Sequence, residues 1–173
     1  MASNFITYTK HGVAESTLLK ATQVGHHYNL VNESKDIDNG SVAVIGDRKR
    51  ADVFEAKVPT KGDKIVLILT APKIYQEYET RMQEESNFYN GKGEVMRAYE
   101  IQDTDRFTLS TEAFASDSVL AVGKYVFVDG TGFKLTTGEK PNMTEYGFVG
   151  HIYEVAANGN YRIWVDKNAQ VYA

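Results

Sequence analysis

Ala121-Val122-Gly123-Lys124-Tyr125-Val126-Phe127-Val128, followed by Asp129-Gly130-Thr131-Gly132 and then Phe133-Lys134-Leu135, is the stretch on which the fold turns. The same pattern resumes at Gly147-Phe148-Val149-Gly150-His151-Ile152-Tyr153-Glu154-Val155. It reverses at Ala157-Asn158-Gly159-Asn160 and ends in Tyr161-Arg162-Ile163-Trp164-Val165. Aromatic and β-branched residues alternate with other side chains, and Asp-Gly or Asn-Gly stands at each reversal, so the reading is a β-meander. Alternation places one face in a core and the other toward solvent or a partner. Tyr125, Phe127, Phe148, Ile152, Ile163 and Trp164 are expected to supply much of that core. Truncating a buried aromatic costs about 3–5 kcal/mol, so Trp164→Ala is expected to threaten folding rather than binding.

Working outward, the strand signal continues through most of the upstream chain. Leu18–Thr22 and His27–Val31 read as a strand pair around Gly25. Asn39-Gly40 is a turn into the apolar strand Ser41–Gly46, and Asp47-Arg48-Lys49-Arg50 reads as a charged hairpin end. Val53–Val58 and Lys64–Thr70 follow, separated by Pro59-Thr60-Lys61-Gly62-Asp63. The run Ile65-Val66-Leu67-Ile68 is apolar at every position, which predicts a strand buried on both faces. Glu94–Ile101 and Arg106–Ser110 are further strands, and Thr111–Phe114 reads as a one-turn helix. Between Thr70 and Glu94, residues 72–93 break the rhythm, with Ile74, Tyr75, Tyr78, Met82 and Phe88 at roughly helical spacing among Glu and Gln. The expected fold is all-β: a small barrel or sandwich with a meander, plus an irregular or partly helical excursion at about 72–93. Residues 1–17 read as an N-terminal arm or edge strand, and 18–173 as a single β-rich domain.

Composition narrows the function. At 173 residues the chain is long enough to build a hydrophobic core without staples. A net charge of −4 argues against direct nucleic-acid binding, which needs a basic footprint. No Cys is present, so disulfides and thiolate chemistry are excluded. No apolar run approaches the roughly 20 residues that span a membrane, and the first residues lack a signal-peptide pattern. The expectation is a soluble chain with no membrane partner. Eleven Tyr residues suit half-exposed strands, because the ring buries area while the hydroxyl stays wet.

Motifs of chemistry are sparse. Adjacent strand residues point to opposite faces, so His26-His27 is poorly placed to chelate one ion, and no metal or cofactor is expected. His11 and His151 stand far apart in sequence. Glu77, Glu79, Glu84 and Glu85 form an acidic cluster, read as a solvated face rather than a general acid/base pair. No Gly-x-Ser-x-Gly elbow is present, and Gly91-Lys92-Gly93 and Gly130-Thr131-Gly132 lack phosphate-loop spacing. The chain is therefore not expected to be an enzyme. The positive signal is surface: Phe5, Tyr8, Tyr75, Tyr78, Phe88 and Tyr89 lie in segments with weak strand patterning, and exposed aromatics rimmed by charge are what protein interfaces use.

Taken in order, Asp36–Val42, Val53–Ala56, Gly62–Ile68, Gly93–Tyr99, Asp105–Ser110, Val122–Val126 and Phe148–Ile152 resemble the strand-and-turn phrases of small β-rich capsid decoration (cement) proteins of tailed bacteriophages. The resemblance spans roughly residues 25–165. It implies a non-enzymatic virion protein, made in the bacterial host cytoplasm, that binds the outer capsid surface and stabilises capsomers. The implied partners are the major capsid protein and copies of the chain itself on the lattice. The alternative is a carbohydrate- or receptor-binding β-module of a capsid or tail fibre, with Trp164, Asn142 and Asn158 among the sugar-facing candidates. A concave aromatic groove would favour the sugar reading, and a flat or protruding aromatic patch would favour packing on a capsid.

Overall fold

The computed structural model describes residues 10–72 and 84–172. Within them the strands are β1 (Ala14–Leu18), β2 (His27–Val31), β3 (Val42–Arg50), β4 (Val53–Lys57), β5 (Val66–Ile68), β6 (Val95–Glu100), β7 (Arg106–Leu109), β8 (Tyr125–Phe127), β9 (Thr136–Gly138), β10 (Phe148–Val155) and β11 (Tyr161–Asn168). They form two units, a closed barrel in the order β2-β4-β3-β5-β6 and a six-stranded sheet in the order β1-β7-β11-β10-β8-β9. All pairings are antiparallel except β2 with β4, whose parallel register closes the barrel.

β5 is a strand of the barrel, but its side chains contribute to both cores. Ile65, Val66, Leu67 and Ile68 are all buried, as a run that is apolar at every position predicts. Val66 and Ile68 point into the barrel, against Leu30, Ala43, Ala56, Met96 and Ala98. The small Ala side chains suit the narrow interior of a five-stranded barrel. Ile65 and Leu67 point the other way. With Val42 and Ile101 they meet Phe107, Leu109, Val126, Phe148, Ile152, Ile163 and Val165 from the sheet. The sheet thus lies across one wall of the barrel, and the main core is the layer between them.

Two contacts fasten the layers. Asn168, at the end of β11, is buried; its amide donates to the carbonyls of Ile65 and Ile101 at 2.9 and 2.8 Å and accepts from Ile65 N at 3.0 Å. Gly147, just before β10, lies so close to the β4–β5 loop that a Cβ there would meet the Asp63 carbonyl oxygen at 2.2 Å. Its N–H donates to Lys61 O at 2.7 Å. Only glycine permits that approach of one backbone to another.

Several expectations change in detail. Leu18–Thr22 is not one strand: β1 ends at Leu18, and Lys20–Val24 forms a single helical turn, α1, closed by Gly25 in the left-handed region at φ 67°. The glycine read as a hairpin turn is a helix C-cap. The arm or edge strand expected before residue 18 is, from Ala14, the edge strand β1 paired with β7. The expected strand 121–128 shrinks to β8, and the one at 133–135 moves to β9 at 136–138. Of the six predicted core residues, Phe148, Ile152 and Ile163 are fully buried, but Tyr125, Phe127 and Trp164 are only half-buried. Val126 of β8 and Val128 just beyond it point inward, as do Ile163 and Val165 of β11. Trp164 is therefore not part of the buried core, and Trp164→Ala is expected to cost less than the loss of a core aromatic. The described part of the 72–93 excursion holds a 3-10 turn at Glu85–Asn87 and a bridge from Asn90 to Ile37. A further 3-10 turn, Thr111–Ala113, stands where a one-turn helix is expected.

Candidate interaction face

Since Phe107, Val126, Ile152, Ile163 and Val165 point into the core, the residues alternating with them face outward. One transverse row of these crosses the whole sheet. Leu18 stands opposite Arg106, Arg106 opposite Trp164, Trp164 opposite His151, His151 opposite Tyr125, and Tyr125 opposite Gly138. The row is aromatic and basic at its centre. The Arg106 guanidinium lies over the Trp164 ring, 5.2 Å from its centroid. The Tyr153 ring meets Trp164 edge-on at 6.2 Å and 89°, a favoured aromatic geometry.

Two irregularities shape this face. The register of β10 with β11 slips between Val149 and Gly150, leaving Asp166 as an extra residue, and again between Ile152 and Glu154, leaving Tyr153 extra. Bulged residues are re-aimed relative to the regular pleat. Asp166 accepts a hydrogen bond from His151 Nδ1 at 2.9 Å. Beside this pair Gly123, Tyr125, Lys140, Met143, His151 and Asp166 line a shallow depression of about 370 Å³.

One row along, Glu15, Thr108, Arg162 and Glu154 stand opposite one another on β1, β7, β11 and β10. Arg162 Nη1 donates to Glu154 Oε2 at 2.8 Å. This bond and the Glu154 charge, with a further contribution from Glu15, push the guanidinium pKa up. Glu15 in turn accepts from the amides of Asn158 and Asn160.

A second polar cluster is built from the segments that lead into β1, β3 and β9. Asp38 accepts from His11 Nδ1 at 2.8 Å and pairs with Lys134 Nζ at 3.0 Å. Burial pushes the Asp38 carboxyl up, but hydrogen bonds and charge from Lys134 and His11 outweigh it, and the pKa lies below the usual carboxylate value. The His11 ring rests against Tyr89 with centroids 4.7 Å apart, and His11 N donates to Ser86 O at 2.7 Å.

Of the aromatics singled out in the sequence, Phe5, Tyr8, Tyr75 and Tyr78 lie outside the described residues. Phe88 is half-buried and Tyr89 is 42% exposed, next to the 3-10 turn, and neither belongs to a core cluster or to the row on the sheet. His26 and His27 take separate partners, a Glu100 carboxylate at 2.5 Å and Gly25 O at 3.0 Å. Among the described residues no three His, Asp or Glu side chains are grouped to hold a metal ion. Glu84 and Glu85 are exposed, whereas Glu77 and Glu79 lie outside the described residues. The Arg106–Trp164–His151–Tyr125 row goes unnoticed in the sequence because Trp164 and Tyr125 read as core. The signal that finds it is the full burial of Ile163, Val165 and Val126 on the opposite parity.

No protein-family model, curated protein or solved structure matches this chain.

Proposed function

We propose that this chain is a non-enzymatic structural protein of a tailed-phage virion, which sits on the outer capsid surface and holds capsomers together. The observation that carries the reading is the outward row Arg106, Trp164, His151 and Tyr125, which crosses four adjacent strands of the sheet. Trp, Tyr and Arg are the residues that anchor protein interfaces. Trp164 already has Arg106 over its ring and the Tyr153 ring set perpendicular to it, which leaves less of the indole for stacking on a sugar. This favours packing against protein over the carbohydrate-binding alternative. Exposed Tyr89, beside His11, offers a second apolar contact. The sheet also ends on β1 and β9, edge strands that among the described residues have one partner each, and an open edge can add to a neighbour's sheet. Repetition on a symmetric lattice multiplies such modest contacts by avidity.

The test is co-sedimentation of the purified protein with capsids stripped of it. Binding that saturates at a fixed ratio, with capsids gaining heat resistance, supports the role. A protein that stays in the supernatant but sediments with host envelope polysaccharide overturns it in favour of the carbohydrate-binding module.

A further inference from the structure

The outer face of the sheet carries two arginines one row apart, and they are treated differently. Arg162 is held by Glu154 and feels Glu15. The Arg106 side chain, by contrast, makes no hydrogen bond or ion pair among the described residues, and its Nε is buried without an acceptor. Arginine stays charged at any physiological pH, and its guanidinium presents a planar fork of N–H donors. Its position over the Trp164 ring, 5.2 Å from the centroid, restrains the guanidinium, so less freedom remains to be lost when a ligand arrives. An unpaired, pre-oriented guanidinium set between an indole and the exposed side chain of Leu18 is a receptor waiting for a planar anion.

We propose that Arg106, backed by Trp164, receives a carboxylate from an acidic segment of a protein partner docked on the outer face of the sheet. This rests on the reading of that face as the docking face and names the chemistry of what docks. A carboxylate fits better than a phosphodiester. One guanidinium matches one carboxylate in bidentate geometry, whereas nucleic-acid sites assemble several cations. Here the neighbouring polar groups are already partnered: Arg162 by Glu154, and His151 by Asp166.

Trp164 is the sole tryptophan of the chain, so its fluorescence reports on Arg106 without a label. The experiment is a titration of the full-length protein with a capped oligoglutamate peptide, with the matching oligoglutamine peptide and inorganic phosphate at equal ionic strength as comparisons. The expected result is a saturating change in Trp164 emission with oligoglutamate and none with oligoglutamine. Binding should weaken by about tenfold or more in Arg106→Gln. Arg106→Lys, which keeps the charge but not the fork, should fall between the two. No change with oligoglutamate, or the same response in Arg106→Gln, overturns the proposal. Saturation by phosphate at lower concentration than by oligoglutamate overturns the carboxylate assignment. No capsid enters this measurement, so its failure is distinct from failure of the capsid-binding role.

Discussion

Val66 and Leu67 are neighbours in the chain but are buried in different cores, Val66 inside the barrel and Leu67 between the barrel and the sheet. Because β5 serves both, the two units are expected to unfold together. Leu67→Ala should cost about 2–5 kcal/mol through lost burial and the cavity left behind. Val66→Ala should cost less, on the order of 1.5 kcal/mol from the methyl groups removed. The sharper expectation concerns the probe. Trp164 lies in the sheet, yet Val66→Ala in the barrel should shift the denaturation midpoint seen by Trp164 fluorescence as far as that seen by far-UV circular dichroism. Two separate midpoints would show that the layers unfold independently.

Asn168 makes the same coupling through polar atoms. Its amide serves Ile65 N, Ile65 O and Ile101 O in a buried position. Asn168→Ala strands these backbone groups away from water, and one unsatisfied buried group costs about 1–3 kcal/mol. The loss should fall on β5 and the end of β6. Hydrogen exchange of the Ile65 amide should accelerate more than global destabilisation alone explains, and uniform acceleration across the chain would refute that assignment.

Asp38 gives the fold a pH dependence of known sign. Its native pKa lies below the ordinary value because Lys134 and His11 favour the carboxylate by more than burial disfavours it. A group depressed in the native state contributes stability that is present above its unfolded pKa, near about 4, and is lost as pH falls through the native value. Asp38→Asn should therefore lower stability at neutral pH by about 1–3 kcal/mol, for the loss of charge-assisted bonds. The gap to wild type should hold steady above about pH 5 and close below about pH 4. Urea titrations at stepped pH measure it directly, and a gap that widens on acidification would reverse the sign.

How much of this was legible in the sequence depends on what each signal encodes. Turn residues and alternation locate strands, and β2, β3, β4, β6, β7, β10 and β11 fall where those signals stand. The burial of Ile65–Ile68 on both faces is readable because no position in the run is polar. Parity is not readable where both faces are apolar. Tyr125-Val126-Phe127-Val128 and Ile163-Trp164-Val165 alternate equally well in either sense, and size alone suggests that the aromatics go inward. The registers with β10 decide otherwise, and Val126, Ile163 and Val165 take the core. The parallel pairing of β2 with β4, the bulges at Tyr153 and Asp166, and the contact of Gly147 with the β4–β5 loop are long-range facts with no local signature. The outward row depends on all of these, so it has no local signature, whereas Phe5, Tyr8, Tyr75, Tyr78, Phe88 and Tyr89 stand out in the sequence through weak strand patterning alone.

Trp164 and Phe148 separate the two roles an aromatic plays here. Phe148 is fully buried, and Phe148→Ala should cost about 3–5 kcal/mol and endanger the fold. Trp164 is half-buried on the outer face, where Tyr153 and Arg106 are its ring contacts. Those contacts, with partial burial, put Trp164→Ala at about 2 kcal/mol. The variant should stay folded by far-UV circular dichroism. On the proposed role it should lose co-sedimentation with stripped capsids, because an interface built on a few anchors fails when one is truncated. Equal destabilisation by the two substitutions would contradict the outward placement of Trp164. A folded Trp164→Ala that still saturates capsids would move the docking surface away from this face, toward the exposed Tyr89 beside His11.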